Sequence, residues 1–278
     1  MIKYSTALIL LFVGLSSAQS QTINPSLLKN TWTANWITAP DAPAKTYGVY
    51  YFRKKIWLTE KPDSFTIHVS ADNRYVLIIN EKFVSLGPAR NDLSHWNFET
   101  VDIAPYLING DNIITATVWN EGEYRPEGQI SNRTGFLMQG NTSKEEVINT
   151  NTSWKCYKNA AYTPLTGIGY SAYYVAGPGE LVDMNKMPDG WTKNSFDDSK
   201  WPNAVKVGWR GATPKGVVDI ADWMLVPSTL PPMELRVQRF ATVRKANGIT
   251  IPEGFPSTQK TITIPANTHA SFLLDQSF

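Results

Sequence analysis

The chain has 278 residues, 42% hydrophobic and 18% charged, with a formal net charge of +2. That balance excludes a disordered chain, and at roughly 150 residues per domain the length suits about two domains, or one large all-β domain and a remainder. Near-neutrality without a basic run argues against a nucleic-acid partner; a single cysteine excludes an internal disulfide framework or a Cys-based zinc site, and three scattered histidines form no HExxH pair.

Lys3 precedes an apolar run from about Ala7 to Leu15, followed by Ser16-Ser17-Ala18. A charged start, a short apolar core and a small-residue cleavage site predict a signal peptide over residues 1–18. The run is shorter than the ~20 residues a spanning helix takes, so no membrane association is expected. The mature chain then begins at Gln19 and is periplasmic, secreted or surface-exposed. The lone Cys156 fits such a place if buried and inert. Residues 19–30 read as a tether.

From Thr31 onward, short apolar stretches bounded by turn residues predict strands. The clearest are Val49–Leu58, Ser64–Ser70, Tyr75–Ile79, Asn112–Trp119 and Phe136–Gln139. Phe65, Ile67 and Val69 alternate with polar residues, which gives one buried face at period two. Tyr75–Ile79 is apolar on both sides and reads as a central strand. Asn80-Glu81 and Asn109-Gly110 stand where tight turns are expected. Eighteen prolines and eighteen glycines leave little room for long helices. Strands at this spacing predict an all-β sandwich. Leu230-Pro231-Pro232 is the best boundary, because paired prolines stiffen a connector. It separates a sandwich over 31–232 from 233–278, where Glu234–Val243, Thr261–Ile264 and Ala270–Leu274 read as the incomplete start of a second β-domain.

Catalytic motifs are scarce. Gly167 to Ala172 matches G-x-G-x-x-A, but Pro164 and Tyr173-Tyr174 leave no credible strand and helix around it, so it reads as a loop. Neither a G-x-S-x-G elbow nor a P-loop is present. Glu145-Glu146 and Asp197-Asp198 are adjacent carboxylates, and adjacency does not make a glycosidase pair. Asp197-Asp198-Ser199 reads as a turn or helix cap.

The stretch from Ala71 to Ser131 is the richest in polar and aromatic residues. Asp72-Asn73 closes one strand before the next, and suits either an Asx-turn or a share of a Ca²⁺ site, which takes six to eight oxygens. Asn120, Glu121 and the carbonyls around Pro126 complete such a site if their loop folds against Asp72. Trp96, Trp119, Tyr124 and Arg90 are candidates for a sugar platform, since aromatic rings receive C–H faces and polar groups fix hydroxyls. For any single tryptophan the core reading is the stronger one. Trp96, beside Asn97, reads as a loop residue and is the better sugar candidate.

The series of motifs resembles the N-terminal β-sandwich of bacterial α-L-rhamnosidases, glycoside hydrolase family 78. It starts with Trp32-Thr33-Ala34-Asn35-Trp36-Ile37. It continues through Ala71-Asp72-Asn73 with Tyr75, Gly87-Pro88 with Arg90, and Trp119-Asn120. Later come Gly179-Glu180 with Asp183, Gly190-Trp191, Phe196-Asp197-Asp198-Ser199-Lys200-Trp201, and Leu225-Val226-Pro227 through Pro231-Pro232-Met233-Glu234. The resemblance spans about residues 31–240. Single motifs of the set also occur in other jelly-roll sugar-binding domains, including those of β-galactosidases.

The resemblance implies a jelly-roll (galactose-binding-like) sandwich whose partner is a downstream catalytic domain of the same polypeptide. The family's acid and base lie on an α/α barrel further along, so this chain is expected to carry no catalytic residue. Some such sandwiches resemble family 67 carbohydrate-binding modules, which hold L-rhamnose through Ca²⁺. The matching positions are Asp72, Asn73, Asn120 and the Pro126 carbonyl. Together with the residue reading above, the expected sugar contacts are Asp72, Asn73, Arg90, Trp96, Asn120, Glu121 and Tyr124. Where the family often has Asn-Gly this chain has Asn80-Glu81, and a positive φ suits Glu less than Gly, so a different turn type is expected. Two alternatives stand beside this reading: a purely structural sandwich and a stand-alone lectin.

Overall fold

Alternation of β-branched and aromatic residues with small and polar ones decides which strands form and which way each side chain points. The computed structural model describes residues 22–166, 176–218, 222–231, 235 and 237–276. The predicted signal peptide and the Gly167–Ala172 loop lie outside them. The chain divides into two units, Met1–Pro231 and Pro232–Phe278.

The first unit carries, in chain order, β1 (Ile37–Thr38), β2 (Gly48–Leu58), β3 (Thr66–Asp72), β4 (Arg74–Ile79), β5 (Lys82–Gly87), β6 (Trp96–Asp102), β7 (Gly110–Asn120), β8 (Gly135–Gly140), β9 (Lys155–Lys158), β10 (Tyr162–Leu165), β11 (Gly179–Val182), β12 (Val205–Lys206), β13 (Thr213–Pro214) and β14 (Met224–Pro227). One sheet has the order β5-β4-β7-β2-β9 and the other β12-β1-β8-β3-β6-β14-β13. All pairings are antiparallel except β6 with β14 and β14 with β13. The longest ladder joins β2 to β7, from Gly48 opposite Asn120 to Leu58 opposite Gly110. β10 and β11 form a separate antiparallel pair. The architecture is an all-β sandwich.

Three apolar layers follow from the alternation. Between the sheets lie Tyr50 and Phe52 of β2, Ile67 and Val69 of β3, Tyr75, Leu77 and Ile79 of β4, and Phe136 and Met138 of β8, closed by Trp154 and Cys156. Each fully buried aromatic removes ~150–250 Å² from water, worth roughly 4–6 kcal/mol. Burial pushes the Cys156 thiol up to about 12, which keeps it inert.

The outer faces are covered as well. Leu137, which points away from Phe136 and Met138, joins Trp32, Trp36, Trp96, Phe98, Trp223 and Leu225 outside the larger sheet. Val49 and Tyr51, which point away from Tyr50 and Phe52, join Tyr47 and Trp201 outside the smaller one, with Trp191 and Phe196 packed on them. Tyr51 stacks on Trp191 at 3.9 Å, and Tyr157 on Trp201 at 5.0 Å between ring centroids.

These covers account for several differences from the sequence reading. β3 was expected to have one polar, exposed face, yet His68 and Ser70 are buried, because Trp32 and Phe98 close over His68. The described part of the expected tether is docked: Asn24 donates to Asn141 Oδ1, and Leu27 offers its carbonyl to the Trp32 indole. Asn80 and Glu81 have φ of 49° and 65°, so both are left-handed as in a type I′ turn despite the missing glycine. The Asn80 side chain holds the turn by donating to the Tyr106 carbonyl and accepting from Ile113 N.

The second unit contains an antiparallel pair, β15 (Thr242–Asn247) and β16 (Ser271–Asp275). Thr261–Ile264, expected to be a strand, is not one. Among the described residues no helix is long and apolar enough to cross a membrane.

Candidate functional site

β3 belongs to the larger sheet and β4 to the smaller, so Asp72-Asn73 is the point where the chain crosses between layers. β7 ends alongside, because Asn73 N donates to the Trp119 carbonyl. The residues after β7 therefore return beside Asp72, as the sequence reading required. Asp72, Asn73, Asn120 and Glu121 are brought together, and all four are buried.

The arrangement is a network of N–H and O–H donors converging on acceptors. Asp72 Oδ1 accepts from Ser131 Oγ at 2.7 Å and Asn73 Nδ2 at 2.6 Å. Asp72 Oδ2 accepts from Asn132 N at 2.6 Å, Arg133 N at 3.2 Å and Trp223 Nε1 at 3.0 Å. Burial pushes the Asp72 carboxyl up, against the lowering effect of those donors. Asn73 Oδ1 accepts from Glu121 N, and Asn120 Oδ1 from Gly122 N. Asn120 Nδ2 donates to Thr134 Oγ1. Glu121 Oε1 pairs with Arg74, while its Oε2 is buried without a partner among the described residues. The Pro126 carbonyl accepts from Gln129 N.

This set does not fit a calcium ion as folded. Calcium takes oxygens whose lone pairs converge on it. Here Asn73 Oδ1, Asn120 Oδ1 and the Pro126 carbonyl each already accept from an N–H, and the Asp72 carboxylate, with about four lone-pair sites, already meets five donors. The positive ends of those dipoles hold an anion, which the Asp72 carboxylate itself supplies. Among the described residues no group of three or more His, Cys, Asp or Glu gathers to hold a metal.

The other expected sugar contacts scatter. Trp96 is no loop residue: it opens β6, is 3% exposed, and gives its indole N–H to Ser70 Oγ. Its polar neighbour Asn97 does not make it a loop residue, since adjacent strand residues point to opposite sides. Trp119 meets Tyr162 edge-on in the cover of the smaller sheet. Tyr124 is exposed on the single turn Gly122–Tyr124, and Arg90 is exposed between β5 and β6.

A different cleft lies outside the larger sheet, lined by Trp36, Val207 to Thr213, Asp222 and Trp223, with a volume of about 220 Å³. Trp36 and Trp223 stack at 4.1 Å. Trp209 is 81% exposed, and the Arg210 guanidinium sits 4.1 Å from the centre of its ring. The sequence reading missed this place. Its signal is Gly208-Trp209-Arg210-Gly211, a tryptophan and a cation between two glycines.

The α-L-rhamnosidase N-terminal domain family model matches residues 60–234. Among solved structures, the family 78 rhamnosidase of Bacillus sp. GL1 aligns with a TM-score of 0.66 at 21% identity, over 81% of this chain and 22% of that one. The α-L-rhamnosidase of Dictyoglomus thermophilum aligns at 0.55 and 20% identity, over 76% and 24% of the two chains. That of Aspergillus terreus aligns at 0.53 and 21%, over 77% and 24%. No curated protein matches. The chain thus spans about a quarter or less of the length of these solved relatives, and the likeness is one of fold.

Proposed function

The chain belongs to the α-L-rhamnosidase N-terminal domain family, and from that premise we propose that it is the non-catalytic N-terminal part of an exported α-L-rhamnosidase-like glycoside hydrolase. It supports a catalytic domain of the same polypeptide and does so without calcium. The observation that carries this reading is the family match over a sandwich whose two outer faces are both closed by aromatic cover. Such a body is rigid, and rigidity is what a supporting domain contributes. Export rests on the apolar run Ala7–Leu15 and the small residues before Gln19.

The test is hydrolysis of an aryl α-L-rhamnoside by the whole chain and by a polypeptide that also carries the downstream domain. Turnover is expected only from the longer polypeptide. Sustained turnover by this chain alone would overturn the reading.

A further inference from the structure

We propose that the cleft around Trp209 is a binding subsite for one neutral pyranose unit of a glycan. The ligand class rests on the glycoside-hydrolase reading of the chain; the site rests on its own geometry. The loop between β12 and β13 is fixed at both ends. Val207 N donates to the Trp36 carbonyl at 2.8 Å, Ala212 N to the Ala34 carbonyl at 2.9 Å, and Trp32 N to the Ala212 carbonyl at 2.8 Å. Asn35 Nδ2 reaches the Arg210 carbonyl at 3.3 Å. The tip Gly208–Gly211 therefore projects from a held base. Its shape needs both glycines: Gly208 has φ +76°, and a Cβ on Gly211 would run into the Trp32 carbonyl.

An exposed tryptophan on a held loop contributes little to folding, since its ring stays in water. The Arg210 guanidinium covers one face of the Trp209 ring and leaves the other for the C–H face of a sugar. Trp36 and Trp223 form the back wall. Trp36 is 4% exposed, and its indole N–H has no acceptor among the described residues. That N–H is closed off from solvent, so the wall contributes its ring surface. Asp222 accepts from Asn132 Nδ2 at 2.8 Å, which fixes its carboxylate at the rim. Arg210 and Asp222 cancel in charge, which favours a neutral sugar over a uronic acid. The volume of about 220 Å³ is below the ~300–1,000 Å³ of sites for drug-sized ligands and matches a single ring. A held aromatic loop also limits the ordering cost of binding.

The experiment is calorimetric titration of the whole chain with L-rhamnose, D-galactose and D-glucose, all with a chelator present. Saturable binding of at least one sugar is expected. Trp209→Ala is expected to weaken it about tenfold or more, because it removes the ring platform. Trp209→Ala should leave the melting temperature unchanged, and Trp57→Ala, which removes a 63% exposed tryptophan elsewhere, should leave binding unchanged. Binding of none of the three sugars, or equal binding by Trp209→Ala, would overturn the subsite. Neither result touches the supporting role, which fails only if the chain alone hydrolyses the aryl rhamnoside.

Discussion

Asp72 shows how a residue that reads as a ligand becomes a structural carboxylate. Five donors from three segments end on its two oxygens. Asp72→Asn replaces one oxygen by an NH₂ group, so in either amide orientation an N–H faces another donor. A buried unsatisfied group costs roughly 1–3 kcal/mol, and that is the loss expected in urea denaturation. Calcium and a chelator should give the same melting temperature, because an ion bound only to the fold would raise it. A calcium-dependent rise that vanishes in Asp72→Asn would restore a metal site. His68 carries a different prediction. Its ring bonds Thr100 Oγ1 and Asn141 Oδ1, both at 3.0 Å. Burial is the main cause that lowers its pKa to about 4, opposed by the Asn141 bond and the charge of Glu145. A histidine held neutral contributes stability that is complete above its unfolded value near 6.5 and lost as pH falls through about 4. The loss by pH 4 is expected to be about 3 kcal/mol. His68→Gln should lack this component, so the difference between the two stability–pH curves isolates it from other acid-sensitive groups.

At the scale of elements, the strap from Asp183 to Trp201 explains the most recognisable motif in the chain. Asp197 caps its own turn through Ser199 N at 2.9 Å. Asp198 pairs with the buried Arg53, whose other N–H groups reach the Trp191 and Lys193 carbonyls. Phe196 and Trp201 then pack on the outer face of β2 and β9. Trp201→Ala should cost about 3–5 kcal/mol in urea denaturation, the usual range for a lost buried aromatic. Lys200→Ala, exposed in the same turn, should stay within about 0.5 kcal/mol. This strap also marks the limit of what the sequence discloses. The strands themselves were legible, because Phe65, Ile67 and Val69 alternate and Asn80-Glu81 punctuates. Which aromatics cover which sheet was not, because Trp32 over His68 and Trp191 over Tyr51 are long-range contacts that no local period encodes. The gathering of Asp72, Asn73, Asn120 and Glu121 was foreseen only on the condition that the loop after Trp119 folds against Asp72, a condition the family resemblance supports for Asp72, Asn73 and Asn120. The direction of their lone pairs was not, since it depends on donors as distant as Trp223.

At the scale of the whole molecule, the two units differ in how much apolar surface they remove from water. The first has three buried layers. The second has one two-stranded ladder among its described residues, where Val237, Ile264, Phe272 and Leu273 remain exposed. A lone hairpin is marginally stable in water, so the second unit should open far more readily than the first. Hydrogen exchange on the whole chain reads this directly. Amides in the β2–β7 ladder should exchange only through global unfolding, because their sheet is covered on both faces. Amides in β15 and β16 should exchange orders of magnitude faster, through local opening, with rates that respond little to Trp201→Ala. That substitution should instead speed exchange throughout the first unit by the same free energy that urea denaturation reports. Equal protection in the two units would mean that the second draws its stability from a source other than its own burial.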